Sequence, residues 1–355
     1  MSVTWTLGTM GLQSARREAA GAWRGYAMAF GAWAAWPGEA VPYPGAQAAL
    51  VQQELATAAS ALVDVPLHEV LDDATDAGVL RHVASRLSVQ GRMPWARLRL
   101  QSTPMSGAEM APDGGVVLWR RYRLRCAHYL PHVPLGHKCG RLHGHDFEVV
   151  VHARISDGLA DHDALDVVWA PWHMRLNYQQ LNALEGLDNP TSECLSAWLW
   201  QGLRRELPSL VGVTVFETAR CGAHFDGDAY RIWKDFSFDS ATRLSHAPKD
   251  AAERQIHGHT YRLRLVMKAP LDAHMGWVID FGDVKKAFAP VFDAFDHRPL
   301  HEMPGLSCGD LGTMAEALHG QTKAVLPVLE RTRLRDGDGG GSECAETDEF
   351  IPLPL

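Results

Sequence analysis

His143-Gly-His-Asp-Phe-Glu-Val-Val-Val151 and His257-Gly-His-Thr-Tyr-Arg-Leu-Arg-Leu265 open on the same triplet and continue in alternation. Period-2 alternation of this kind reads as a β-strand with one buried face. Each is preceded by a second alternating run, Trp119–Leu130 in one case and Trp233–Leu244 in the other. Two such runs in succession read as an antiparallel hairpin. A sequence that builds one hairpin twice contains a repeat, and the search for that repeat sets the rest of the reading.

Helical stretches follow each hairpin: Ser192–Leu207 in the first copy, Val284–Phe292 and Thr313–Leu329 in the second. The first opens on Pro190-Thr-Ser-Glu193, a capping start. A late strand, Val211–Thr218, closes the first copy. Turn-rich breaks at Met110–Gly115 and Cys221–Asp228 divide the chain into residues 1–114, 115–228 and 229–355. The first segment is a faint third copy. Leu12–Arg16 parallels Phe238–Thr242, Arg24–Phe30 stands where the His-Gly-His strand belongs, and Leu98–Thr103 parallels Val213–Thr218. The alternative is an unrelated helical domain.

The 355 residues carry 34 basic and 42 acidic side chains, a net charge of −8. That balance argues against a dedicated nucleic-acid binder, which needs a basic face, and leaves room for a small anionic substrate. No apolar run reaches the ~20 residues of a membrane span, and Gly25–Trp36 is too short. No signal peptide opens the chain. The six cysteines are scattered without a CxxC pair, so reduced thiols in a cytoplasmic protein are expected.

Five of the 18 histidines crowd into Cys126-Ala-His-Tyr-Leu-Pro-His-Val-Pro-Leu-Gly-His-Lys-Cys-Gly-Arg-Leu-His-Gly-His145. Residues two apart on a strand share a face, so His143 and His145 can present both imidazoles to one point. His128, near the end of the preceding strand, can add a third nitrogen across the hairpin. Three histidines with an open fourth position make the catalytic arrangement for Zn²⁺. A His-x-His pair by itself is as well explained by a polar strand face; the third histidine and a nearby cysteine favour the metal. Cys139 has two readings: a small buried residue, or a thiolate steadied by the metal and Lys138 and used as a base. His132 and His137 read as loop residues rather than ligands.

Lys138-Cys-Gly-Arg-Leu-His-Gly-His145, the preceding Ala-His-Tyr-Leu-Pro-His-Val-Pro and Asn189-Pro-Thr-Ser-Glu193 resemble the 6-pyruvoyltetrahydropterin synthase family, and within it the 6-carboxytetrahydropterin synthase group. The resemblance covers the second and third segments and weakly the first. It implies an α+β tunnelling fold: an antiparallel four-stranded sheet with two helices per unit, units closing into a β-barrel ring. It further implies that His128, His143 and His145 bind zinc and that Cys139 takes a substrate proton. Glu217 anchors the pterin, and Thr191 belongs to the substrate-binding motif. The Asp-His site of the family reads Asn177-Tyr178 in the second segment but is kept as Asp296-His297 in the third. The third segment has Thr242 and Glu253 where the first histidine and the cysteine belong. It retains His257 and His259, and Glu346-Thr347 looks like its anchor. His246 is the alternative third ligand there, so a second metal stays open.

Complementary losses imply one working site assembled from parts of two repeats, with Cys139 and zinc from one and Asp296 and His297 from the other. The implied substrate is 7,8-dihydroneopterin triphosphate. The implied product is 6-carboxy-5,6,7,8-tetrahydropterin, a 7-deazapurine (queuosine) precursor, formed with loss of acetaldehyde and triphosphate. Triphosphate elimination alone, as in 6-pyruvoyltetrahydropterin synthase, is the second enzyme reading, and a non-catalytic pterin-binding scaffold is the third. Fused repeats imply a homodimer of pseudo-trimeric rings, with no nucleic-acid or membrane partner.

Overall fold

The structure, a computed structural model, describes residues 2–17, 23–35, 41–90, 93–156, 159, 161–349 and 351. One element order runs through it three times. The first pass is β1 (Val3–Arg17), β2 (Trp23–Ala34), α1 (Gln47–Ala59), the single-turn α2 (Leu67–Val70), α3 (Asp76–Gln90), β3 (Trp95–Thr103) and β4 (Ser106–Met110). The second is β5 (Val116–His128), β6 (His143–Arg154), α4 (His162–Leu176), α5 (Ser192–Glu206), β7 (Leu210–Thr218) and β8 (Cys221–Phe225). The third is β9 (Tyr230–Thr242), β10 (His257–Lys268), α6 (Phe281–Phe295), α7 (Leu311–Val325), β11 (Leu329–Arg335) and β12 (Gly340–Ala345). The strands hydrogen-bond in chain order and β12 pairs antiparallel with β1, the connectivity of a closed barrel.

By compactness the chain divides into two units. One holds Met1–Val116, Asp235–Leu265 and Ala287–Phe350; the other holds Val117–Lys234, Val266–Lys286 and Ile351–Leu355. In the first, Leu7, Phe30, Trp33, Val51, Leu55 and Leu100 form part of an apolar core. That core also buries ion pairs, Arg99 with Glu109 at 2.9 Å and Arg333 with Glu343 at 2.6 Å. In the second, Trp119, Val150, Phe216, Trp233, Val266 and Ile351 pack together, with Phe216 edge-on to Trp233. Gly222 is required there: a Cβ would lie 2.1 Å from the Val215 carbonyl and 2.6 Å from the Trp233 ring.

Several elements depart from the sequence expectation for physical reasons. The break expected at Cys221–Asp228 contains β8; only Asp226–Asp228 turns, with Asp226 Oδ1 accepting the amides of Asp228 and Ala229. The helix expected over Thr313–Leu329 ends at Val325, because Pro327 lacks an N–H and bars the helical conformation at Leu326. Helix α6 is longer than the expected Val284–Phe292 and carries Pro290 in its interior. Helix α4 went unread because Pro171 interrupts its pattern, yet Leu165, Trp169, Trp172 and Leu176 bury one face. Helix α5 starts as expected, with Thr191 Oγ1 accepting the Cys194 amide at 3.1 Å.

The three passes share a detailed signature. Asp64, Tyr178 and His297 all have left-handed φ angles, of 55°, 61° and 55°. Their amides donate to Gln13, Arg125 and Asp239 on the first strand of each pass. Isolated parallel bridges Ala15–Pro66, Ala127–Gln180 and Ala241–Pro299 follow directly. Register then places Arg16 opposite Arg24 in the first pass as His128 stands opposite His143 in the second.

Candidate metal centre and the adjoining cavity

Strand β5 ends on His128 and β6 begins on His143, and antiparallel register makes the two direct cross-strand neighbours. His145 shares the face of His143 by strand alternation. Ring centroids stand 4.5 Å apart for His128 and His143, 5.0 Å for His143 and His145, and 5.3 Å for His128 and His145. Two of the rings are oriented from behind. His128 Nδ1 lies 2.9 Å from the Pro190 carbonyl and His143 Nδ1 lies 2.7 Å from the Arg141 carbonyl. These bonds place the protons on Nδ1 and leave the Nε2 lone pairs facing one another. Nε2 of His128 and of His145 are buried without a hydrogen-bond partner.

Glu217, near the end of β7, completes the group. Its Oε1 comes within 3.4 Å of His145 Nε2, short of hydrogen-bond geometry, while Oε2 accepts from Ser192 Oγ at 2.8 Å. One candidate ligand atom from each of His128, His143, His145 and Glu217 falls within 4.8 Å of the others, and no other such group occurs among the described residues. Burial above all pushes His128 and His145 below the ordinary histidine range, against the opposing pull of Glu217. Neutral imidazoles with converging, unpartnered lone pairs are what a cation needs, so these residues fit a metal ion.

Cys139 lies in a 3-10 turn, Lys138–Gly140, held against the end of β5 by the Leu130 amide donating to the Cys139 carbonyl. The thiol is half-buried and shares a cavity with His128, Thr191, Glu193 and Glu217. Its pKa is raised, by burial first, then by the Glu217 and Asp280 carboxylates; Lys138 pulls the other way and is outweighed. Lys138 acts in the direction that the sequence reading expected of the metal and Lys138 together, but by itself it does not outweigh burial and the two carboxylates.

The far wall of the cavity is Trp277, Ile279, Asp280 and Phe281, the run between β10 and α6, which sequence reasoning missed. The Asn-Pro-Thr-Ser-Glu motif fastens it. Asn189 Nδ2 donates to the Met275 carbonyl at 2.8 Å and Thr191 Oγ1 to the Gly276 carbonyl at 2.6 Å. Glu193 Oε1 accepts the Val278 amide at 2.9 Å. Thr191 is thus helix cap and tether as well as cavity wall. Glu193 is buried, and burial pushes its carboxyl up to about 7 against the pull of the Val278 amide. The motif's own Ser-Glu pair was the available signal for this residue.

Asp296 and His297 belong to the other unit. Asp296 Oδ2 lies 2.9 Å from His297 Nδ1, and Oδ1 accepts the Asp239 amide at 3.0 Å. Desolvation opposes ionisation of Asp296, but the Asp239 amide and His297 outweigh it and hold the carboxyl below its usual range. The His297 ring is 76% exposed. In the second pass Asn177 Oδ1 keeps the same backbone bond, to the Arg125 amide at 2.9 Å, and Tyr178 OH takes a bond from Arg125. Geometry is preserved there and the ionisable pair is lost.

In the third pass Thr242 occupies the His128 place and donates to the Gly309 carbonyl at 3.3 Å; His246 is exposed. His257 repeats the His143 bond, to the Gln255 carbonyl at 2.8 Å. Glu346 does not stand where the sequence reading put an anchor. It follows β12, and its carboxylate pairs with Lys323 at 2.8 Å. Counting from the leucine that opens each strand, Leu210 in β7 and Leu329 in β11, the counterpart of Glu217 is Asp336. Asp336 interacts electrostatically with His259, as Glu217 does with His145. The reading had aligned on an adjacent Glu-Thr pair rather than on strand register.

These features define a protein of repeated hairpin-and-helix units with one candidate metal site. The 6-pyruvoyl tetrahydropterin synthase family model matches residues 117–228 and again residues 231–344, more than half of the chain, and the chain belongs to that family. A 6-carboxy-5,6,7,8-tetrahydropterin synthase from Synechocystis is 31% identical over 121 residues, covering 31% of this chain and 92% of that protein. A dihydroneopterin monophosphate aldolase from Pyrococcus furiosus is 36% identical over 73 residues, 21% of this chain and 59% of that protein. The solved 6-pyruvoyl tetrahydropterin synthase of Caenorhabditis elegans shares 22% identity over 32% of this chain and 92% of its own, with a TM-score of 0.28. Among the described residues no helix is long and apolar enough to cross a membrane.

Proposed function

We propose that the chain is a zinc-dependent lyase converting 7,8-dihydroneopterin triphosphate and one water to 6-carboxy-5,6,7,8-tetrahydropterin, with release of acetaldehyde and triphosphate. The supporting observation is the convergence of three histidines, two with orphaned Nε2 atoms, and Glu217, of which His128 and Glu217 also line the cavity that holds Cys139 and Glu193. We read the chain as three fused repeats, 1–114, 115–228 and 229–355, of which the second holds this site.

His128, His143 and His145 would hold the zinc, which when bound supplies Lewis acidity to the oxygens of the substrate side chain. Glu217 and Glu193 are the carboxyl groups available to the donor edge of a pterin, a charge-assisted paired contact. Cys139 is the general base, and its raised pKa makes the thiol a proton store that ionises when positive charge enters the cavity. Asp296 and His297 are assigned the second proton transfer, since they keep the ionisable pair that Asn177 and Tyr178 lack. Mass spectrometry of the product tests the assignment. The carboxy product supports it, a 6-pyruvoyl product identifies triphosphate elimination without carbon–carbon cleavage, and no turnover by zinc-loaded protein leaves a pterin binder.

A further inference from the structure

Beside Cys139 lies a histidine–carboxylate pair that none of the proposed chemistry uses. His137 caps the turn that carries the thiol: the Cys139 amide donates to His137 Nδ1 at 3.3 Å. Accepting that bond requires a lone pair on Nδ1, so the ring proton sits on Nε2. Nε2 points toward Asp280 Oδ2, 3.8 Å away. Asp280 is itself fixed, because its Oδ1 caps α6 through the amides of Gly282 at 2.7 Å and Asp283 at 3.2 Å. Trp277 flanks the His137 ring, with centroids 6.2 Å apart. Asp280 and Trp277 line the same cavity as Cys139.

We propose that His137 and Asp280 form a positioning pair for Cys139. The imidazole accepts the Cys139 amide at Nδ1, which holds the turn that presents the thiol, and turns its Nε2–H toward the Asp280 carboxylate facing the same cavity. The charged groups around Cys139 are Glu217 and Asp280 on the negative side and Lys138 on the positive side. Of these carboxylates, Asp280 is the one His137 can reach, so the pair controls how much of its charge the thiol meets. The inference rests on Cys139 as the reactive group of the proposed function.

The experiment is alkylation of Cys139 by iodoacetamide in the zinc-loaded full chain, read peptide by peptide by mass spectrometry as a function of pH. Asp280→Asn keeps an oxygen to cap α6 but removes the charge. Its alkylation midpoint should fall by about half to one pH unit, a roughly 3- to 10-fold faster reaction below the midpoint. His137→Asn keeps an acceptor for the Cys139 amide but is too short to turn an N–H toward Asp280, and its midpoint should rise. Midpoints that stay at the wild-type value, or that move in the same direction in both variants, overturn the pair. If Asp280→Asn does not fold, His137→Asn alone decides, and an unmoved midpoint is refutation. Turnover that survives Cys139→Ala would instead sink the proposed function, so the two failures are distinguishable.

Discussion

Glu193→Gln isolates one buried carboxyl whose energetics can be worked through. Glu193 sits on the first turn of α5 with 3% of its surface exposed, and its carboxylate accepts the Val278 amide. Burial raises its pKa from 4.5 to about 7. Between those values the folded protein holds a proton that the unfolded chain releases. Stability therefore falls as pH rises through that window and levels off above about 7. The difference between 4.5 and 7, at about 1.4 kcal/mol per pH unit, makes the loss about 3 kcal/mol. Glutamine keeps an oxygen for Val278 and cannot ionise, so the variant should escape this loss. Urea unfolding of both proteins at pH 4.5 and pH 8 measures it, because every other group cancels in the difference. The variant should gain about 3 kcal/mol on the wild type between the two pH values. Stability curves that stay parallel across the window would show that Glu193 is ionised in the folded state and refute the reasoning.

Three further outcomes follow from the site. Elemental analysis should find about one zinc per chain, lost in His128→Ala and retained in His257→Ala; a second zinc that disappears with His257→Ala would contradict the single site. His297→Ala should reduce turnover by ~10²–10⁴ at unchanged zinc content, and Tyr178→Ala far less. Normal turnover by His297→Ala beside a dead Cys139→Ala would remove the Asp296–His297 pair from the mechanism. If the three passes are fused repeats as proposed, light scattering should show a dimer of chains; a trimer or hexamer would contradict that.

The strands were legible where alternation and the His-Gly-His triplets coincide, and so were the three histidines, whose common face follows from strand period alone. Thr191 was legible as a cap because capping depends on residues three apart in sequence. What escaped reading depends on distant chain. Nothing local in Gly-Trp-Val-Ile-Asp-Phe at 276–281 says that it walls the Cys139 cavity; that requires Asn189, Thr191 and Glu193 to take up its backbone groups. Glu346 was misplaced because a Glu-Thr pair is a two-letter match, whereas strand register distinguishes it from Asp336. Lys138 could not be weighed for a related reason: one adjacent cation is visible in sequence, but desolvation and the Glu217 and Asp280 charges are not.

The first pass places a guanidinium where the second has its candidate metal site. Thr75, Thr191 and Asp310 each cap the second long helix of their pass, which makes Asp76 the counterpart of Ser192. By strand position Ser102 is the counterpart of Glu217, and Arg16 of His128. In the second pass the helix serine donates to the strand glutamate, whose carboxylate faces the histidines. In the first pass the two chemistries have changed places: Ser102 on the strand donates to Asp76 on the helix at 2.6 Å. Asp76 in turn pairs with Arg16 at 2.6 Å, and the Arg16 guanidinium lies over the Tyr26 ring. A guanidinium belonging to the chain thus supplies the positive charge that a bound cation would supply in the second pass. The buried carboxylate is satisfied without a ligand, as a buried charge must be. Removing Arg16 would leave Asp76 its Ser102 hydrogen bond but take away its ion-pair partner, a loss that weighs on a buried carboxylate. The first pass therefore satisfies its buried carboxylate with a cation of its own chain, where the second presents a cluster that could take a metal ion.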